Sequence, residues 1–363
     1  MTPKQRILSV YSGQRPDRVP IGIYSRYHRL GDAERAARNR GLGLLVFSPA
    51  VSLLAPPWHI KPGYVSEVRG VTLRIDMTWE DGAPVERRTF ETPVGTVWQE
   101  TTVDPTYGSD WIRKHYIAAP EDYKIMQYVA ERTVLAPRHD AIARLMDDLG
   151  EDGVALARID RSPYQKLLVE LAGPERFLTD LMTDPGPAEE LMAVYDARMD
   201  EQVRLACEGP AEAIWSPDNV TADLTPPTLF EQYQLPFYRK HGETIRAADK
   251  RYVVHMDGRL AGIKDSIARS PFDVVESFSF AETAGDVPVP EALAAWPDKT
   301  LCPNVPAPLC DKPAVEIERF LDGVWDSFGK APFMLQLSED FPLDAYRHLL
   351  DILCRYAERG LPR

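Results

Sequence analysis

The chain has 363 residues, 44% hydrophobic and 27% charged, the balance of a globular protein with ample apolar material for a core. Lys and Arg number 42 against 55 Asp and Glu, and the formal charge of −13 repels polyphosphate, which argues against nucleic acid as the main ligand. Four cysteines (Cys207, Cys302, Cys310, Cys354) without CxxC spacing exclude a disulfide scaffold. No apolar signal core opens the chain, and no apolar run approaches the roughly 20 residues of a membrane span, so a cytoplasmic protein without membrane contact is expected.

In chain order, Thr2-Pro3 reads as N-cap and first turn of a short helix over residues 2–12. Residues 18–24 (RVPIGIY) and 42–47 (LGLLVF) are short, apolar and bounded by turn residues, the pattern of buried strands, and a polar, Ala-rich helix over 32–40 lies between them. Residues 69–103 then alternate apolar and polar side chains around Asp81-Gly82, which predicts an antiparallel hairpin inserted in the fold. It is expected to cover the mouth of the main domain or to form a subunit contact in a homodimer. From residue 120 onward helical and strand periods alternate to the end of the chain, with strands expected near residues 157, 213, 253, 275, 302 and 335. With the two early strands this makes about eight β/α units in a single domain, which predicts an α/β fold of the TIM type, a (β/α)8 barrel with the hairpin inserted. The rival, a doubly wound open sheet, lacks a GxGxxG turn after its first strand.

A barrel of this kind carries its site at the C-terminal ends of its strands. That rule selects Tyr24, Ser48, Arg158 with Asp160, Trp215 with Asp218 and Asn219, His255 with Asp257, Glu276, Cys302 with Asn304, and Glu339. His255 and Asp257 (YVVHMDGR) stand i, i+2 at a strand end and point the same way, which suits a divalent metal, or a His–Asp hydrogen bond that orders the loop. Glu339, in LQLSEDFP, is either a third ligand or an N-capping carboxylate of the last helix, a role open equally to Ser338 and Asp340. Cys302 is either a soft ligand or a small buried residue. Asp218 and Asn219 (SPDNV) either orient a polar substrate or form an Asx-turn. Arg158 either anchors a substrate carboxylate or phenolate or pairs with Asp160. Glu276, Asp218 and Asn219 are taken as catalytic candidates, and Tyr24, Arg158, Asp160, Trp215 and Asn304 as substrate contacts. Pocket walls remain open among Tyr24, Trp58, His59, Trp79, Tyr107 and Trp111. A serine nucleophile elbow, a P-loop and a strand-end lysine for a Schiff base are all missing from the sequence.

The opening MTPKQRILSVYSGQRPDRVPI, the insertion's ETPVGTVWQE, the following YIAAPEDYKIMQYV and the strand-end HMDG resemble the uroporphyrinogen decarboxylase-like superfamily, from Thr2 to about Ala345. The resemblance implies a (β/α)8 barrel and one of two chemistries. Metal-free decarboxylases of that superfamily carry an arginine-rich N-terminal segment. Here PIGIYSRYHRLGD departs from it and keeps only Arg26 and Arg29. The other branch comprises zinc methyltransferases that work with corrinoid proteins and bind the metal through His-x-Cys and a second Cys. His255 matches the histidine, while Asp257 and Glu339 stand where the thiolates would be. A carboxylate-rich zinc site is harder and more Lewis acidic than a thiolate one. The resemblance therefore implies transfer of a methyl group from a small O- or N-methylated donor to a corrinoid held by a separate protein. The alternatives are a metal-free decarboxylase or lyase and a non-catalytic barrel that binds a tetrapyrrole or corrinoid.

Overall fold

A computed structural model describes residues 1–28, 31–52, 67–103, 110–339, 341 and 343–360. It resolves into two compact units: residues 1–48, 139–158 and 207–363 form the first, and residues 49–138 and 159–206 the second.

The first unit is the barrel. Its strands are β1 (Ile21–Tyr24), β2 (Gly43–Pro49), β7 (Gly153–Arg158), β8 (Ala213–Ser216), β9 (Arg251–His255), β10 (Val274–Phe278), β11 (Thr300–Pro303) and β12 (Leu335–Leu337). They lie in the order β11-β10-β9-β8-β7-β2-β1-β12, with every assigned pair parallel. Parallel bridges Leu301–Phe333 and Asn304–Gln336 nearly close the sheet, helped by the Val305 N–H donating to the Gln336 carbonyl at 2.8 Å. The eight strands expected from the sequence are all present. Gly153 opens β7 because a Cβ there would sit 2.2 Å from the Leu44 carbonyl oxygen.

Alternate residues face inward, so Leu45, Val154, Leu156, Ala213, Val253, Val274 and Met334 join one buried cluster. The helix Pro3–Tyr11 contributes Ile7, Val10 and Tyr11 to it. Its start is a capping box, with the Gln5 N–H donating to Thr2 Oγ1 at 3.2 Å and the Thr2 N–H to Gln5 Oε1 at 3.0 Å.

The second unit holds the insertion, which is larger than a hairpin. Strands β3 (Thr72–Glu80), β4 (Ala83–Thr92), β5 (Gly95–Val103) and β6 (Asp110–Lys114) form an antiparallel sheet that shares no strand with the barrel. The β3–β4 turn is the expected Asp81-Gly82, with φ of +50° and +80°, the left-handed pair a two-residue hairpin loop demands. Strand β6 escaped the sequence reading because DWIRK is short and charged, and it joins β5 through a bulge at Glu100/Thr101. Helices Asp122–Arg132, Pro174–Thr183 and Gly186–Glu208 accompany the sheet. So does the segment Pro163–Gln165, which continues into a wider π-helical stretch over Lys166–Leu171. Among the described residues no helix is long and apolar enough to cross a membrane.

Candidate active site

Parallel registry places Glu276 of β10 beside His255 of β9 on one side and Cys302 of β11 on the other. Just beyond it the β10–β11 register slips, and Ser277 takes a φ of +61°. Such a bulge re-aims side chains at a barrel rim. The Ser277 N–H donates to Gln336 Oε1 at 3.1 Å, which ties the bulge to β12.

Glu276 has no exposed surface, and its carboxylate collects three partners from three other strands. Oε1 accepts from the Tyr24 hydroxyl. Oε2 accepts from Trp215 Nε1–H at 2.9 Å and lies 2.8 Å from His255 Nδ1. An acceptor-only carboxylate at Nδ1 fixes that nitrogen as N–H and makes Nε2 the basic one. Nε2 lies 3.9 Å from Asp257 Oδ2, too long for a hydrogen bond but close enough for both atoms to serve one cation. The expected i, i+2 pair therefore does converge.

Glu339 is positioned differently. Its carboxylate accepts from Asn304 Nδ2 and from the Ala307 N–H at 3.2 Å. Burial pushes its pKa up, the Ala307 and Asn304 hydrogen bonds pull it down, and the charge of Asp257 raises it again. Ser338 braces Asn304, donating from Oγ to Asn304 Oδ1 at 2.6 Å. Among the described residues no three His, Cys, Asp or Glu side chains gather at metal-binding spacing. The donor set of His255 and Asp257 suits a divalent cation as a two-ligand pair, while Glu339 is drawn to Asn304 and Ala307.

An aromatic wall leads to the imidazole. The rings of Tyr24 and Phe47 meet at 4.6 Å, Phe47 and Trp215 at 4.3 Å, and Trp215 and His255 at 6.1 Å. Tyr27 stacks on Tyr24 at 6.4 Å with Arg26 over its outer face. Phe47 and Tyr27 were not selected from the sequence. The signal for Phe47 was its place two residues before the end of β2, next to Ser48.

The other selected residues are more dispersed. Arg158 shares the inward face of β7 with Val154 and Leu156 and is buried. Asp160 belongs to the second unit, where Lys166 Nζ donates to its Oδ1 at 2.9 Å. Asp218 is buried and accepts from the Tyr238 hydroxyl at 2.7 Å, whereas Asn219 is exposed with a φ of +61° and donates its N–H to the His255 carbonyl at 3.0 Å. Ser48 is buried. Trp79 and Trp111 are exposed on the antiparallel sheet, and Trp58, His59, Tyr107, Arg29 and Asp340 lie outside the described residues.

Cys302 has no exposed surface, and burial pushes its thiol well above the usual range. Cys310 and Cys354 are also buried, and burial first among several effects pushes Cys354 up to about 11, whereas Cys207 is half-buried. Thiolate is the reactive form. A disulfide reagent at pH 8 is therefore expected to label at most Cys207 in the native protein and all four thiols in denaturant. Rapid native labelling of Cys302 would show a reactive, ligand-like thiol.

No curated protein matches the chain. Among solved structures, a "methyltransferase from Methanosarcina mazei" shares the fold with a TM-score of 0.59, over 98% of this chain and 99% of that one, at 14% sequence identity. A family model described as uroporphyrinogen decarboxylase (URO-D) matches residues 103–293, more than half of the sequence. With that match and the eight-stranded parallel barrel, the chain belongs to the uroporphyrinogen decarboxylase family.

Proposed function

We propose that the protein transfers a methyl group from a small O- or N-methylated donor to a corrinoid carried by a separate protein, with a divalent metal held at His255 and Asp257. The observation that carries this reading is the Glu276–His255 contact, which turns Nε2 toward Asp257 in the manner of a carboxylate–histidine–metal triad. Glu339 would supply a third ligand if its carboxylate turned from Asn304 and Ala307. When bound, zinc supplies Lewis acidity that stabilises the departing oxygen or nitrogen of the donor. The hard oxygen donors Asp257 and Glu339 favour such a leaving group over a thiolate.

The chain's own residues do the rest. Glu276 holds the imidazole in one orientation, and Tyr24 and Trp215 hold Glu276. The faces of Tyr24, Phe47 and Trp215 seat a methoxylated ring or a methylammonium group, the latter by cation–π attraction. Arg158 adds a buried positive charge to the barrel. Decarboxylation of a polycarboxylate, the reaction for which the family is named, is disfavoured by the charge of the site. Glu276, Asp257 and Glu339 set three carboxyl groups at this end of the barrel, where a polycarboxylate would need cationic partners instead.

The test joins metal analysis to turnover. Protein purified without chelator and offered zinc is expected to retain about one equivalent, and His255→Ala to lose it. With reduced corrinoid, a panel of methoxylated aromatics, betaines, methylamines and methyl thioethers is expected to give methyl-cobalt from the O- or N-methyl compounds. Failure to retain zinc, or turnover of thioethers alone, overturns the reading.

A further inference from the structure

Strand β3 ends the antiparallel sheet. Among the described residues it pairs only with β4, and its other edge is open along nine residues. Three of its side chains are large, apolar and exposed: Ile75 at 41%, Met77 at 59% and Trp79 at 75%. They are spaced by two and share one face. Long, exposed, apolar edges are templates for pairing, and proteins that stay monomeric usually blunt them.

The turn tells which backbone groups face the open edge. Glu80 pairs with Ala83 across the two-residue loop, and such a loop is closed by a hydrogen-bonded pair. Glu80, Thr78, Asp76 and Arg74 thus turn their N–H and C=O toward β4, while Trp79, Met77, Ile75 and Leu73 turn theirs outward.

The sequence of this edge, VTLRIDMTW over residues 71–79, is complementary to itself when run antiparallel about Ile75. Ile75 then faces Ile75 of the second copy as a hydrogen-bonded pair. Leu73 faces Met77. On the opposite face Thr72 meets Thr78 and Arg74 meets Asp76, each twice by symmetry. Centring one residue to either side sets Arg74 against Arg74 or Asp76 against Asp76, like charges directly opposite, which destabilise a strand pair. Centring on Met77 shortens the overlap and calls on Glu80, whose Oε2 already accepts from Arg113 at 2.6 Å. Within one chain Arg74 Nε donates to Asp76 Oδ2 at 2.9 Å, so the guanidinium and carboxylate already lie side by side at the edge.

We propose that β3 pairs antiparallel with β3 of a second copy of this chain, in the register that places Ile75 on the two-fold axis. The result is a continuous eight-stranded sheet with an isologous interface. Charge complementarity and an apolar stripe on the same strand select a second copy as the occupant. The inference is independent of the chemistry at the barrel.

Sedimentation of the full-length protein between about 1 and 100 µM brackets the affinity expected of an interface smaller than the roughly 1,600 Å² standard. The wild type is expected to show a monomer–dimer equilibrium. Arg74→Asp and Asp76→Arg are each expected to weaken it by roughly tenfold or more, because each sets like charges opposite one another twice. The double variant Arg74→Asp/Asp76→Arg restores both ion pairs and is expected to return the dimer to within about threefold of wild type, with all variants sharing one circular dichroism spectrum. A monomeric wild type at 100 µM overturns the proposal. So does a dimer indifferent to the single reversals, or a double variant no tighter than either single one.

Discussion

On the proposed function, Glu276→Leu is expected to lower methyl transfer by about 100- to 10,000-fold, the range set by loss of an orienting carboxylate behind a functional imidazole. With His255 as the proposed ligand, zinc affinity should fall by about 10- to 100-fold, the effect of removing a histidine ligand's outer partner. The physical cause is specific. Leucine fills the space but leaves Trp215 Nε1–H, His255 Nδ1 and the Tyr24 hydroxyl without their common acceptor, Trp215 and Tyr24 both being buried. Each stranded donor costs about 1–3 kcal/mol, so the melting temperature should drop as well. Glu276→Gln separates charge from geometry. Its amide oxygen can face Trp215 and His255 while its NH2 meets the Tyr24 oxygen, so shape and tautomer persist and the negative charge is lost. Stability about 1–3 kcal/mol below wild type, from the Tyr24 O–H left without its acceptor, with roughly tenfold slower turnover is expected for Gln. Wild-type zinc binding and turnover in the leucine variant would remove Glu276 from the site.

Lys166→Met is expected to destabilise the second unit by about 3–5 kcal/mol, the cost of breaking a buried ion pair from one side. Lys166 Nζ lies 2.9 Å from Asp160 Oδ1 and 2.6 Å from Glu170 Oε2, all three side chains being buried. Arg161 Nε donates to the other Glu170 oxygen at 3.0 Å. Burial pulls the ammonium pKa down, but the charges of Asp160 and Glu170 outweigh it and raise the net value above the ordinary range. A group whose pKa is raised on folding contributes in full below its unfolded value of about 10.4 and loses that contribution only as pH climbs through the folded value. The wild-type advantage should therefore be the same at pH 6 and pH 9 in denaturant titrations. A loss under 1 kcal/mol, or one that vanishes by pH 9, would contradict this account. The double variant Lys166→Met/Asp160→Asn should recover part of the loss, since it removes the buried carboxylate that loses its cation, while Glu170 keeps Arg161.

Much of this architecture is legible in local sequence. Strand candidates separated by helical periods give the eight parallel strands, because burial on both faces leaves short apolar runs. Asp81-Gly82 gives the turn, because two consecutive positive φ angles admit few residue pairs. His255 and Asp257 are found together because i, i+2 on a strand fixes a common face. Even the self-complementarity of β3 is written in nine consecutive residues.

The role of Glu276 was not legible in that way. Its partners sit on β1, β8 and β9, Tyr24 being 252 positions away in the chain, and only closure of the sheet brings those strand ends into one layer. No spacing rule encodes a meeting that depends on barrel registry and on the bulge at Ser277. Glu339 likewise stands at a strand end in the sequence, and the folded barrel brings Asn304, 35 positions away, to its carboxylate. The sequence by itself determined the strands, the turn and the chemical types at the strand ends, since those follow from periodicity and backbone sterics. Which polar groups meet was decided by the folded barrel, because a buried carboxylate takes whichever donors the closed sheet brings within reach.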